Sequence, residues 1–430
     1  MNSTHIQHLP ARQVVAVVTG NAIEFYDFVT YAFFAAQIGR TFFPSDTPGA
    51  SLLASLATFG AGFVTRPLGA WVIGRYADRA GRKPAMLLSF WLMGIAVLGL
   101  PLVPAYASIG VAAPLLVIAF RLLQGFALGG EVGPNTAFLM EAAPAHRRGF
   151  FVSMQATSAD IAVMAAGLIG VLLANFLDSA QLDSWGWRLA LLPGAVIVPF
   201  GLYLRRTLVE TLHRAPVAPP TAATPTPYLR ITLVSITLLA TATTNNYLLT
   251  YMTTYANSTL GMPERLAFGA TVAVGAAGLV FNPVAGWLSD YFGRRRLILL
   301  PWLLCGLLVF PGFWMIEHYR NGPALWTTCA VLGGASTMAG TTALVSITEL
   351  LPRHVRAGGF GLLYASSIAV FGGSAQFLAA WLTRLTGNPL VPAWYMLAML
   401  LLGLLALAYL RETAPARLGT LPGQGAPPAG

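Results

Sequence analysis

The chain has 430 residues, of which 56% are hydrophobic and only 9% charged, with a formal net charge of +10 and a mean hydropathy of +0.68. A water-soluble domain carries about 25% charged residues, so this composition excludes one and describes a membrane protein. The basic residues sit in turns between apolar runs and form no long tract, which makes them a topology signal and argues against a nucleic-acid partner.

A helix needs about 20 apolar residues to cross a bilayer. That ruler predicts twelve spans, at 14–39, 50–75, 84–104, 110–141, 150–177, 187–206, 229–256, 265–290, 296–317, 323–350, 357–385 and 391–411. The first run has no small-residue cleavage site and continues as one of many, so no removable signal peptide is expected. The stretch 207–228 is polar and carries Pro216, Pro219, Pro220, Pro225 and Pro227, which predicts a linker. The expected organisation is a six-helix half at 1–206, a cytoplasmic linker at 207–228, a second six-helix half at 229–411 and a disordered Gly/Pro-rich cytoplasmic tail at 412–430. Of the Arg and Lys residues in the turns, at the span ends and in the termini, 18 fall on the side of the termini and linker and five on the other, so both termini are expected in the cytoplasm. Cys305 and Cys329 lie in apolar runs, and neither a disulfide framework nor a metal site is expected.

Two stretches repeat across the halves. GRYADRAGRK at Gly74–Lys83 and GWLSDYFGRRR at Gly286–Arg296 share Gly-x-x-x-Asp-x-x-Gly-Arg-Lys/Arg at an offset of 212 residues. Glu141-x-x-Pro144-x-His146-x-Arg148 and Glu349-x-x-Pro352-x-His354-x-Arg356 repeat at an offset of 208. Two echoes at nearly one spacing predict an all-α membrane protein of twelve transmembrane helices in two pseudo-symmetric six-helix halves, the major facilitator fold, with the substrate site near the bilayer midplane between them. In the hinges, Gly74 and Gly286 are expected to admit a close neighbouring helix. Asp78 and Asp290 are placed to meet a helix N-terminus or an arginine of the same turn, such as Arg82 or Arg294. Together these six residues predict a conformational latch, or charges that only anchor a turn.

A charge at the bilayer centre costs about 2.5–3.5 kcal/mol even on insertion scales, so it signals function. Six fall deep in predicted spans: Glu24, Asp27, Arg66, Arg121, Glu131 and Asp160, all in the first half. Asn21, Glu24, Asp27 and Tyr31 share one face of the first helix, which should line a central cavity or pack on the fourth. Arg121 lies about 17 Å from the outer end of its helix and Asp27 about 18 Å from the outer end of its own, which predicts an Asp27–Arg121 pair. The same count predicts a second pair between Arg66, about 14 Å from the inner face, and Glu131, about 15 Å from it. Either pair can serve transport or only fix helix packing. Four carboxylates facing two arginines leave an acid over, and a desolvated unpaired carboxylate holds a proton reversibly. Glu24 and Asp27 are the leading proton carriers and Asp160 the next, unless Thr157 and Ser158 hydrogen-bond it. Gln124 shares the stripe of Arg121. The second half offers neutral groups: Asn245, Asn246, Tyr247 and Tyr251 in its first helix, then Asn282, Tyr364 and Gln376. The cluster at 245–247 is expected to face the cavity.

GNAIEFYDF, RPLGAWVIGRYADRAGRK, RLLQGFALGGE, SWGWR and RRTLVET, in that order, resemble the metabolite–proton symporter family of the major facilitator superfamily. TFFP at 41–44, FGAGFVTRPLGA and RLLQGF are most similar to its bacterial citrate–proton and tricarballylate symporters. The resemblance implies uptake of an organic acid with protons across a bacterial inner membrane and coupling of Arg121 to the helix 1 acid. Arg188 in SWGWR matches a family motif, but it lies at the outer end of the sixth span, so a structural or gating role is expected for it. The expected substrate is a tricarboxylate such as citrate or tricarballylate, bound by Asn21, Tyr31, Arg66, Arg121, Gln124, Asn245, Asn246 and Tyr247. The coupling ion is the proton, with no other cofactor, and the chain is expected to work as a monomer in the lipid bilayer. The alternatives are a dicarboxylate, a shikimate-like acid or a zwitterionic osmolyte as substrate, or a membrane sensor that does not transport. An enzyme is not expected, since the six histidines lie before the first span or in turns and no nucleophile–base constellation appears.

Overall fold

The computed structural model describes residues 11–47, 49–80, 82–130, 132, 135–136, 139–140, 143–200, 203, 228–351 and 356–417, and it is all-α among them. Twelve helical passes follow one another. The first six are α1 (Ala11–Phe33, continued by Ala35–Phe42), α2 (Ala50–Val64 and Arg66–Ala80), α3 (Arg82–Leu102), α4 (from Ala112–Gly129), α5 (Arg148–Phe176) and α6, a run of short turns that includes Trp187–Leu191. The second six are α7 (Tyr228–Thr250), α8 (Glu264–Phe292), α9 (Arg294–Tyr319), α10 (Gly322–Leu350), α11 (Arg356–Ser367 and Gly373–Thr386) and α12 (Val391–Tyr409). Eight of these passes are long and apolar enough among the described residues to cross a membrane. Large apolar side chains such as Trp91, Leu102, Phe176, Leu307 and Leu405 are exposed, a surface suited to lipid and costly in water.

Where the bundle is polar inside, small residues let the helices approach closely. A Cβ on Gly125 would run into the carbonyl oxygen of Gly62, one on Gly69 into that of Phe126 and one on Gly129 into that of Arg66. Thr65 fastens the same crossing, its Oγ1 donating to the Leu122 carbonyl at 2.6 Å. Membrane helices gain little from burying apolar surface against each other, so such backbone approach is a main source of association. Here it draws α2 onto α4 and buries Arg66 and Arg121 between them.

A second seam joins α5 of the first six to α8 of the second, antiparallel along almost their whole length. Gly149 abuts Gly286 at one end, Gly275 abuts Met164 in the middle, and Gly170 abuts Phe268 at the other end. The close approach expected at Gly286 is present, with the Gly149 carbonyl oxygen 2.6 Å from a Cβ built there. At Gly74 it is not: among the described residues nothing lies within 4 Å of such a Cβ. The α2–α4 crossing is made at Gly62 and Gly69, where Gly125 and Phe126 come closest.

The segment after Arg411 also departs from expectation. Instead of being disordered, residues 412–417 are fixed against α9 and α10. Glu412 accepts the N–H of Arg294 at 2.9 Å and of Arg295 at 3.2 Å, two of the donors that the start of α9 leaves unsatisfied. Burial alone would raise the Glu412 carboxyl, but four backbone N–H donors, from Ala414, Arg294, Arg295 and Thr413, outweigh it and hold it below its ordinary value. Thr413 Oγ1 donates to Glu349 at 2.7 Å, which ties the segment to the end of α10. Residues 207–227 of the expected linker and residues 418–430 lie outside the described residues.

Candidate functional site

The polar face of α1 runs from a cavity to a buried charge cluster. At one end Asn21 lines a cavity of about 140 Å³. Its Nδ2 donates to the Gln155 carbonyl at 3.2 Å and to Ser158 Oγ at 2.7 Å, fixing α1 to α5. At the other end Asp27 and Tyr31 face α4 and α2. Glu24, between them and 2% exposed, is the carboxylate whose charge Arg66 feels.

Asp27 and Arg121 do meet, but through a third side chain. Gln124 Nε2 donates to Asp27 Oδ2 at 2.5 Å, while Arg121 Nη1 donates to Gln124 Oε1 at 2.6 Å. All three are at most 2% exposed. The expected direct pair is therefore a relay, because Gln124 sits one helical turn after Arg121 and reaches Asp27 first. Arg121 packs on the rings of Phe28 at 4.3 Å and Tyr31 at 4.5 Å, and Arg66 on those of Phe28 at 4.5 Å and Phe63 at 4.4 Å. Nε and Nη2 of both arginines have no hydrogen-bond partner among the described residues. Two buried guanidinium groups with free donors make a strongly anion-seeking site, since rings alone do not satisfy N–H groups.

Neither arginine lines the cavity. Tyr247 and Tyr364 do, and both are electrostatic neighbours of Arg66, so two tyrosines bridge the cavity and the arginine pair. Tyr247 is wedged edge-on against Phe59 and Phe63, at 6.0 and 5.2 Å between ring centroids. Of the 245–247 cluster, Asn246 and Tyr247 line the cavity and Asn245 does not. The Asn245 amide is fully buried and donates to the Thr241 carbonyl of its own helix at 2.9 Å. One residue is about 100° of helix rotation, enough to turn it away from the cavity. Tyr31 is also outside the cavity, held 3.4 Å from the Ser55 carbonyl. Gln376 packs α11 on α7 through the Tyr247 carbonyl at 3.2 Å.

Among the described residues, Asp160 is the charged one that lines the cavity, and it is not satisfied by Thr157 or Ser158. Those hydroxyls donate back to Ser153 and Gln155 of their own helix. Asp160 Oδ2 instead accepts from Asn282 Nδ2 of α8 at 2.7 Å, and Thr341 of α10 donates to Asn282 Oδ1. The sequence carries no local sign of this relay, because its members come from three helices.

At the arginine-rich end the second hinge forms a closed network. Arg294 binds Asp290 at 2.8 Å, Glu349 at 3.0 Å and Ser289 at 2.6 Å. Asp290 also accepts the N–H groups of Gly149 at 2.9 Å and Phe150 at 3.1 Å, capping the N-terminus of α5. At the opposite end Gln37 of α1 donates to Glu264 of α8 at 3.0 Å, and Arg40 pairs with Asp183. Helix α8 is thus tied to the first six helices at both of its ends. Arg188 braces α3, donating to the carbonyls of Pro101 and Val103 at 3.0 and 3.1 Å. Glu131 and the side chains of Asp78 and Arg82 lie outside the described residues.

The chain matches the Major Facilitator Superfamily over residues 17–365 and 270–429. It is 35% identical over 421 residues to the citrate–proton symporter of Salmonella typhi, covering 94% of this chain and 96% of that protein. It is 33% identical over 394 residues to the alpha-ketoglutarate permease of Escherichia coli K12, with 90% of each covered. The solved structure of the E. coli xylose transporter XylE in a partially occluded inward-open conformation superposes with a TM-score of 0.73 at 15% identity, covering 96% of this chain and 99% of that one. At that identity the superposition speaks for the fold alone, twelve helices in two six-helix halves. This multi-pass membrane protein belongs to the major facilitator superfamily.

Proposed function

We propose that the chain is a proton-coupled secondary symporter that imports an organic acid, a tricarboxylate such as citrate or tricarballylate, by alternating access. The observation that carries the proposal is the buried Asp27–Gln124–Arg121 relay, which holds one carboxylate and one incompletely satisfied guanidinium in a single chain of hydrogen bonds. With Asp27 ionised, Gln124 and Arg121 are committed to its negative charge. Protonating Asp27 removes that charge, and Arg121, with Arg66 on the same Phe28 ring, turns its donors to a substrate carboxylate. Glu24, near Arg66, is the second proton carrier. Tyr247 and Tyr364 are the movable wall between cavity and arginines, and Asn21 and Asn246 add neutral hydrogen bonds.

Similarity to the citrate–proton symporter supports a tricarboxylate, and similarity to the alpha-ketoglutarate permease supports a dicarboxylate as the second reading. The membrane is a bacterial inner membrane, with the arginine-rich end and both termini in the cytoplasm, and the working unit is the monomer. The Asp290–Arg294–Glu349 network is then the cytoplasmic latch, broken and remade in each cycle. Proteoliposomes with labelled citrate outside test the proposal. Uptake that rises with an inward proton gradient supports it, and no uptake under that gradient refutes it.

A further inference from the structure

Among the described residues, the cavity between the halves is lined by neutral amides, hydroxyls and apolar groups around one carboxylate, Asp160, with no arginine or lysine. Such a surface disfavours a carboxylate laid against Asp160 and so constrains how an anion can lie in it. One carboxylate oxygen, Oδ2, is occupied by Asn282, and Asn282 is itself oriented by Thr341. Among the described residues no cation stands within ion-pair distance of Asp160. With one hydrogen bond from the described residues, this partly buried carboxylate has acceptor capacity left, and the cavity in front of it is where a ligand supplies a donor.

We infer that Asp160 is a specificity-determining residue that accepts a hydrogen bond from a hydroxyl of the substrate, so that the transported acid is a hydroxy acid. The inference rests on the organic-acid reading above. An organic acid brings mostly acceptors, and its carboxylates repel Asp160. A hydroxyl is the smallest neutral donor that a fully ionised acid can present. Turning the hydroxyl toward Asp160 points the carboxylates away from it, toward the tyrosines and the arginines beyond them. This gives Asp160 a binding role in place of a proton-carrying one, and it makes the α5–α8–α10 relay a sensor that both halves contribute to. A site built around a buried acceptor discriminates strongly against an analogue lacking the matching donor.

Citrate and tricarballylate differ only in one hydroxyl, as do malate and succinate, so the test needs no unusual probe. Isothermal titration of the purified full chain at fixed pH compares the members of each pair. The hydroxylated member of the preferred pair is expected to bind at least about tenfold tighter, the factor a hydrogen bond to a charged group supplies. In Asp160→Ala that ratio is expected to fall to about one. The native ratio is measured without a variant, so a misfolded Asp160→Ala does not remove the test. Equal affinities within the pair in the native chain, or a ratio unchanged in Asp160→Ala, would overturn the inference while leaving the symporter standing. A protonated Asp160 that donates to a carboxylate gives the former result. Aspartate binding more tightly than malate would overturn it in favour of an ammonium-bearing substrate. If neither member of either pair binds, the inference fails, and titration with alpha-ketoglutarate decides whether the organic-acid reading fails with it.

Discussion

Replacing Asp290 by asparagine tests whether the second hinge is a latch or only an anchor. The native carboxylate, 4% exposed, receives three donors: Gly149 N–H, Phe150 N–H and Arg294 Nη2. Asparagine keeps the shape but is neutral and offers one acceptor oxygen, so an N–H of α5 loses its acceptor and Arg294 loses its charged partner at this position. Loss of the cap costs about 1 kcal/mol. Loss of a charge-assisted bond to Arg294, which keeps Glu349, costs about 2 kcal/mol more. The contacts join α8 to α5, so the cost falls on the closed arrangement and shifts the opening equilibrium by roughly a hundredfold. A cysteine at Ser153, which is fully buried in the seam beside Gly286, reports opening by its maleimide labelling rate. The native Cys305 and Cys329 are fully buried and give little background. Ser153→Cys is expected to label slowly alone and at least tenfold faster with Asp290→Asn, because opening is the rate-limiting exposure. An unchanged rate would refute the latch.

The two hinges should differ on substitution although their sequences echo each other. Gly286→Ala puts a Cβ into the Gly149 carbonyl and is expected to lower the melting temperature in detergent, an overpacking cost of about 1–3 kcal/mol. Gly74→Ala meets open space and should leave it unchanged within error; equal effects would contradict the seam. Glu412 supplies the pH signature. Its folded pKa lies below the ordinary 4.5, so its contribution is complete above that value and is lost as pH falls through the lower folded one. Glu412→Gln is therefore expected to melt below the native chain at about pH 7, with the gap closing as pH falls below the ordinary carboxylate range. A gap that stays constant down to about pH 3 would show that the charge contributes nothing.

The architecture was legible because a bilayer writes it into composition: twelve apolar runs, two repeated hinges and an arginine bias need no tertiary knowledge. The deep charges were legible for the same reason, since hydrocarbon makes each one conspicuous. Their partners were not. Depth counting brought Asp27 and Arg121 to one level, but whether they touch depends on how closely α2 and α4 approach α1 and on the reach of Gln124, one turn along. Gly125 and Gly129, spaced by four, carried the signal for that approach, and it lay unused inside RLLQGFALGGE. Asn245 and Asn246 are chemically identical neighbours, and only the rotation of α7 separates the buried one from the one in the cavity. Asp160, Asn282 and Thr341 come from α5, α8 and α10, so their relay has no spacing that a linear reading detects.

The central claim is that Asp27 couples a proton to the passage of an acid, and proton movement itself tests it most directly. Proteoliposomes holding a pH-sensitive dye, with no imposed proton gradient, are given citrate outside, or alpha-ketoglutarate if citrate is not carried. Downhill entry of the acid through the native chain is predicted to acidify the lumen in step with uptake. Asp27→Asn is predicted to lower the acidification per acid taken up, leaving at most the share carried by Glu24. Uptake without any proton movement, or an acidification per acid unchanged in Asp27→Asn, would contradict the account.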